Sequence, residues 1–286
     1  MRAPPAARLR LDAAAWRRYA SRMENVTEPG LLDTISEVMK HRVLAVQDYS
    51  FLCARAVSNL FTQPRYLQDT IEQMDAIGVG SLPIVMLTGF FIGAVMVLQT
   101  SSQFERFGQT ALTGDVVAIA LVRELGPSIT ALLVAGRNSS GIASELGSMT
   151  VTEQVDAMRA MGTDPVRKLV TPRVLATLLM LPLLTAVADF VGIIGGFIVS
   201  NFELRLNPVQ YWTRSVDALA FGDLMQGLAK PVVFGFILSS VGCFYGLNVR
   251  GGTQGVGRAT TEAVVTSSVL ILVANFFLTR LLLWIF

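Results

Sequence analysis

Five long apolar segments follow one another after residue 80 of this chain. Each approaches the roughly 20 residues that a helix needs to cross the hydrocarbon core of a bilayer. The segments are Leu82–Ser101, Val116–Gly136, Val174–Ser200, Leu224–Leu247 and Ala263–Phe286. The sequence therefore predicts an all-α membrane protein with five transmembrane helices. Pairs of glycines four residues apart in three of these segments predict that helix backbones approach each other closely.

Composition supports a membrane protein and argues against several other classes. Hydrophobic residues make up 52% of the 286 residues and charged residues only 15%, whereas soluble domains carry roughly a quarter charged residues. The net charge of +2, with no basic stripe, argues against nucleic-acid binding. His41 is the only histidine, and Cys53 and Cys243 lack metal-ligand spacing. We therefore expect no metal or cofactor to be bound by this chain.

Basic residues in the short flanking segments predict the orientation of the chain in the membrane. The N-terminal region is rich in arginine, and two loops on the same predicted side carry further basic residues: Arg159, Arg167, Lys168, Arg173, Arg250 and Arg258. The opposite loops hold fewer basic residues, among them Arg106, Arg205 and Arg214. The sequence therefore predicts a cytoplasmic N-terminus and, after five spans, a periplasmic C-terminus.

Three regions follow from these patterns. Residues 1–31 are rich in Ala, Pro and Arg, and we expect a disordered basic tail that touches anionic lipid; an organellar transit peptide is the alternative. Residues 32–81 form an interfacial region, because apolar residues recur there at helical spacing, at Leu32, Ile35, Met39, Val43 and Val46. Residues 82–286 form the five-span domain.

Arg123 and Glu124 place two opposite charges inside the second apolar segment. Ionisable residues within a membrane are costly and mark functional sites. At ~1.5 Å of rise per residue, Arg123 lies ~12 Å from the outer end of its span and Lys230 ~9 Å from the outer end of the fourth, with Asp189 deeper at ~17 Å. Pro127 has no N–H for the carbonyl of Arg123, so we expect a bend and a free carbonyl there.

Two interpretations of these charges remain open. In the first, the charges pair within the helix bundle and fix the register of the helices. In the second, Arg123, Glu124 and Lys230 line a cavity that opens toward the outer leaflet. The cations would then hold an anionic head group, since arginine can bind phosphate through two parallel hydrogen bonds.

A short helix is predicted between the second and third spans. Thr150 and Glu153 fit a capping box, and Gly162 fits a helix stop. Apolar residues share one side of this helix, and the side is suited to a groove on a soluble partner; its members are Val151, Val155, Met158 and Met161. The alternative is a helix that lies flat on the membrane. Because the sequence has no GxxxxGK[ST] run, any ATP must be bound by another chain.

Polar positions along the chain resemble those of the MlaE permease family, in order and at the family's spacing, over about residues 35–286. The matching stretches are Thr88–Gly93, Leu121–Pro127, Ala135–Arg137, Ala143–Gly147, Thr152–Gln154, Asp164–Pro165, Pro172–Arg173 and Gly257–Thr261. The resemblance implies the transmembrane subunit of an ABC lipid transporter in a bacterial inner membrane. It implies a homodimer, two cytoplasmic ATPases that bind ATP and magnesium, and a periplasmic ring of MCE-domain proteins.

The resemblance also assigns roles and a substrate. It implies that phospholipid moves between the inner and outer membranes, that Arg123, Glu124 and Lys230 contact the lipid, and that residues 151–162, with Glu153, couple to the ATPase. At residue 275 this chain has asparagine where related permeases often have aspartate. Alternatives are an Mce-type importer of sterols or fatty acids and an ion-driven transporter of an anionic solute. Five spans do not divide into two inverted halves, which argues against the latter. An intramembrane enzyme or a scaffold is the remaining class.

Overall fold

The computed structural model describes residues 31–60, 66–202 and 207–285, and every element within these ranges is a helix. The helices are α1 (Leu31–Leu60), α2 (Leu67–Glu105), α3 (Thr110–Val151), α4 (Gln154–Ala160), α5 (Val166–Phe202), α6 (Pro208–Asp217), α7 (Phe221–Leu247) and α8 (Gly252–Ile285). The chain divides by its contacts into Met1–Ser50 and Phe51–Phe286. Apart from Leu31, the tail predicted for residues 1–31 lies outside the described residues.

Five of these helices, α2, α3, α5, α7 and α8, are long and apolar enough to cross a membrane. The prediction of five spans is therefore confirmed, although the helices extend beyond the apolar segments. The first begins at Leu67 rather than Leu82, because the polar run before the membrane segment is itself helical and continues through a π-helical turn at Asp75–Val79. Hydropathy identifies only the part of a helix that lies in hydrocarbon. The helical backbone hydrogen bonds continue beyond that apolar segment.

In the first unit, the described part of α1 exposes Met39, Val43 and Val46, three of the residues at the predicted apolar spacing. The helix itself is present as expected. Its location at a membrane interface stays a prediction.

In the second unit, all five long helices contribute to one apolar core. Val85, Val134, Leu184, Phe234 and Ile271, one from each of α2, α3, α5, α7 and α8, are almost fully buried in it. The helices α2 and α5 pack especially closely, because glycines face each other across the contact. A Cβ atom added to Gly93 would lie 2.8 Å from the Cα atom of Gly192, closer than two carbon atoms can pack.

Helix α3 departs from α-helical geometry at two places, where π-helical turns span Leu121–Leu125 and Ala135–Ser139. The first turn ends where Gly126 donates its N–H to the carbonyl of Leu121. Pro127 follows and cannot donate to the carbonyl of Arg123. Single π-helical turns of this kind are frequent at functional sites, and this one carries Arg123 and Glu124.

Candidate functional site

Lys230 lies at the centre of a polar cluster between α3 and α7. Its side chain is completely buried, and its Nζ atom is 2.7 Å from Oε1 of Glu124. The same Nζ donates a hydrogen bond of 2.8 Å to the carbonyl oxygen of Arg123. Pro127 cannot donate to that carbonyl, as expected from the sequence, and the ammonium group of a neighbouring helix bonds to it.

Arg123 has a different partner from its neighbour Glu124. Its Nε atom is 3.4 Å from Oδ1 of Asp223, and Oδ2 of Asp223 accepts the backbone N–H of Ala220 at the start of α7. Adjacent residues on a helix diverge by about 100°, which separates the two side chains. Asp223 was not among the predicted site residues. Its spacing of seven residues from Lys230, two helical turns on one side, is the signal that could have found it.

Helix α8 completes the cluster and borders a groove. The hydroxyl of Thr279 donates to the Glu124 carboxylate, at 3.1 Å from Oε1 and 3.3 Å from Oε2. The adjoining groove has a volume of about 580 Å³, and its lining residues are Glu124, Leu272, Asn275, Phe276, Thr279, Arg280 and Leu283. Glu124 is 39% exposed at this groove. Sequence reasoning missed Thr279 and Arg280, although a single arginine in the last apolar span was a visible signal.

The structure thus brings Arg123, Glu124 and Lys230 together and pairs their charges within the bundle. Arg123 with Asp223, and Glu124 with Lys230, form two pairs of opposite charge. Removing one partner of a buried ion pair leaves an uncompensated charge, which costs about 3–5 kcal/mol. These contacts support the first of the two interpretations for Lys230, which lies wholly within protein. Contact with a lipid head group stays a prediction for Arg123 and Glu124.

Asp189 lies apart from this cluster. It is buried in α5 against Gly126, where a Cβ atom would overlap its carboxylate, and its Oδ1 atom has no hydrogen-bond partner. Within the described part of the chain it makes no ion pair. The cluster therefore comprises Arg123, Glu124 and Lys230, the three residues that depth counting places at one level, with Asp223 as a fourth member.

The short helix α4 lies between α3 and α5, but the predicted capping box is wrong. Thr150 still belongs to α3, and its hydroxyl donates to the carbonyl of Leu146 at 2.8 Å. The chain breaks instead at Glu153, which adopts a left-handed conformation with φ 60°. The predicted stop is confirmed, since α4 ends at Ala160 and Gly162 has a φ of +79°.

The apolar side of α4 packs mainly on the protein itself. Val155 is only 3% exposed, and Met158 packs against the same buried cluster, which includes Leu146 and Val170. A partner protein cannot touch Val155 in this arrangement. Met161 is 74% exposed, and the neighbouring Glu153 is exposed as well. Contact between these residues and an ATPase stays a prediction.

Comparison with known proteins adds to this geometry. The family described as Permease MlaE matches residues 70–281. A probable ABC transporter permease protein of Rickettsia typhi is 42% identical over 258 residues, which are 88% of this chain and 98% of that protein. The chloroplastic protein TRIGALACTOSYLDIACYLGLYCEROL 1 of Arabidopsis thaliana is 39% identical over 211 residues, 74% of this chain and 60% of that protein.

A further relative is the intermembrane phospholipid transport system permease protein MlaE of Haemophilus influenzae. It is 34% identical over 213 residues, which cover 74% of this chain and 82% of that protein. The family match extends from within α2 to within α8, so it covers at least part of each of the five long helices, and it contains the Arg123–Glu124–Lys230 cluster. The chain is therefore a multi-pass membrane protein and an ABC transporter permease that belongs to the MlaE family.

Proposed function

We propose that this chain is the transmembrane subunit of a bacterial inner-membrane transporter that moves phospholipid between the inner and outer membranes. The observation that carries the proposal is the groove beside α8, where Glu124, Asn275, Thr279 and Arg280 stand next to apolar side chains. A lipid has both an ionic head and apolar chains, and this lining matches both. The name of the Haemophilus influenzae relative supports the choice of phospholipid.

A separate chain supplies the energy. We propose that a cytoplasmic ATPase binds ATP and magnesium and contacts the α4 region, that the N-terminus is cytoplasmic, and that a ring of MCE-domain proteins lies on the periplasmic side. This permease carries no catalytic residue in the proposal. An Mce-type importer of sterols or fatty acids is the second candidate, and the four polar groups in the groove favour a substrate with a larger polar head.

A homodimer is part of the same proposal. In the most apolar window of α8 only 11% of residues are buried, yet two polar residues of this helix, Asn275 and Arg280, line the groove, and Arg280 is exposed. Polar groups that face hydrocarbon are costly. A second copy of the chain that packs beside α8 would shield this groove from the acyl chains of bulk lipid.

Reconstitution tests the proposed function directly. The permease is purified with its ATPase and MCE-domain partners, placed in liposomes that contain a fluorescent phospholipid, and supplied with ATP and magnesium. We expect the labelled lipid to change membranes or leaflets only when ATP can be hydrolysed. Transfer that is independent of ATP, or transfer of a fluorescent sterol in preference to phospholipid, would contradict the proposal.

The exposed end of α4 offers a test of ATPase binding. Replacing Met161 with aspartate introduces a charge where the side chain is 74% exposed, so folding should be unaffected. We expect copurification of the ATPase to fall at least about tenfold, since a buried charge at an interface costs ~1.4 kcal/mol or more. Met161→Leu is the matched control and should retain the ATPase. Equal recovery with both variants would place the ATPase contact elsewhere.

A further inference from the structure

Arg280 occupies an unusual position on α8. It lines the groove that Glu124 and Asn275 also line, and it borders a second cavity of about 500 Å³ together with Trp284. In residues 31–60, 66–202 and 207–285, no carboxylate lies within 4.0 Å of its guanidinium group. It is also five residues from the end of the described helix. An arginine within a membrane-spanning helix needs either an anionic partner or access to water.

The charges around Arg280 are already paired with each other. Lys230 and Glu124 are 2.7 Å apart, and Arg123 lies 3.4 Å from Asp223. Thr279 adds a hydroxyl to Glu124, which leaves its carboxylate with two donors. The cluster therefore has no net charge, and the excess positive charge at the groove belongs to Arg280. An anion that enters the groove gains most from Arg280.

The rest of the lining indicates what kind of anion fits. Leu272, Phe276 and Leu283 contribute apolar surface to the lining, and Glu124, Asn275 and Thr279 contribute polar groups beside Arg280. A small hydrophilic anion would leave the apolar part unfilled. Residue 275 is also neutral: an aspartate there would place a carboxylate in the same groove as Arg280. Among the described residues that line it, the groove combines one cation without a carboxylate partner, Arg280, with a surface for acyl chains.

We propose that Arg280 binds the phosphate of an anionic glycerophospholipid and so determines head-group selectivity, whereas Arg123 and Lys230 hold the wall of the groove. The proposal rests on the proposed function and names the substrate class of that site. A guanidinium group binds a phosphate through two parallel N–H···O bonds, which a lysine cannot reproduce. Selectivity for net-anionic lipid follows, because a zwitterionic head group brings a cation of its own close to Arg280.

Trp284 reports binding at this position. The chain has three tryptophans, Trp16, Trp212 and Trp284, so replacing the first two with phenylalanine leaves one fluorophore beside Arg280. Full-length chain in detergent is titrated with phosphatidylglycerol that carries brominated acyl chains, which quench tryptophan on contact. Brominated phosphatidylcholine is titrated in parallel. We expect tighter apparent binding of phosphatidylglycerol.

Substitutions at the groove then separate the roles. Arg280→Gln should weaken phosphatidylglycerol binding by about tenfold or more, because charge-assisted hydrogen bonds are the strong ones. Phosphatidylcholine binding should weaken less, because its choline cation already offsets part of the attraction to Arg280. Arg280→Lys should lose less of the affinity for phosphatidylglycerol than Arg280→Gln does. Asn275→Asp should also weaken phosphatidylglycerol binding, because the new carboxylate neutralises Arg280. Arg214→Gln is the matched control, since it removes one positive charge from α6, outside the groove, where Asp115 pairs with it at 3.2 Å.

Several outcomes would overturn the proposal. Unchanged phosphatidylglycerol affinity in Arg280→Gln would do so, as would an equal loss in Arg214→Gln, which indicates general surface attraction. Displacement of the lipid by inorganic phosphate would show a site for free phosphate. A change in oligomeric state without a change in affinity would place Arg280 against a second copy of the chain. Normal ATP-driven transport with unchanged affinity would leave the proposed function intact, whereas a wild-type complex that transports no phospholipid would contradict that function itself.

Discussion

Replacing Lys230 with alanine is expected to lower the free energy of unfolding by about 2–4 kcal/mol, toward the low end for a broken buried pair because Glu124 is partly exposed and screened. Two groups lose their partner at once. The Glu124 carboxylate loses the ammonium group 2.7 Å away. The carbonyl of Arg123 loses its 2.8 Å hydrogen bond, and Pro127 prevents the helix from replacing it. Thermal unfolding of the purified chain in detergent measures the loss.

A double substitution separates charge from packing at this position. Lys230→Met combined with Glu124→Gln removes both charges and keeps similar volumes, and the Gln side chain can still accept from Thr279. We expect it to recover about half of the stability lost in Lys230→Ala, since a neutral pair leaves no uncompensated charge. If the single Lys230→Ala variant has the same melting temperature as the wild-type protein, water already solvates this cluster.

The second large effect is expected at the contact between α2 and α5. Gly93→Ala would place a methyl group 2.8 Å from the Cα atom of Gly192, and this neighbour is backbone that cannot rotate away. The two helices must separate, which forfeits packing along their length; overpacking of this kind costs about 1–3 kcal/mol or more. We expect lower yield and a lower melting temperature in detergent.

Gly141→Ala is the matched control for this change. Gly141 lies within α3, and nothing would stand within 4 Å of an added Cβ atom. Alanine is preferred over glycine in a helix interior by about 0.8–1 kcal/mol, so this variant should be as stable as the wild-type protein or more so. If both variants melt alike, the close approach of α2 and α5 is wrong.

The spans and much of the charged cluster could be predicted because their signals are local. Hydropathy alone located the five long helices, and the missing N–H of Pro127 predicted the free carbonyl of Arg123. Counting residues from the span ends placed Lys230 at the level of Arg123, and the two residues do meet. These inferences need only helix geometry and the chemistry of single residues.

What escaped prediction depends on how the helices pack. Asp223 and Thr279 become partners of Arg123 and Glu124 only because α7 and α8 pack beside α3. Local sequence also suggested a capping box at Thr150, yet α3 continues through that residue, and its hydroxyl also lies 3.3 Å from the carbonyl of Gly246 on α7. The apolar side of α4 likewise led us to assign Val155 to a partner protein. An apolar helix side can equally well pack on the protein's own core, as Val155 does.

The bond from Lys230 to the carbonyl of Arg123 has a mechanical consequence. In most pairs of packed helices, each helix makes its own backbone hydrogen bonds. One helix can then slide past the other while only side chains change contacts. Here a backbone carbonyl of α3 accepts a hydrogen bond from a side chain of α7. A shift of α3 along α7 by one helical turn, ~5.4 Å, would break this bond and the Lys230–Glu124 contact together. The two contacts thus oppose a slide of one helix past the other at this level.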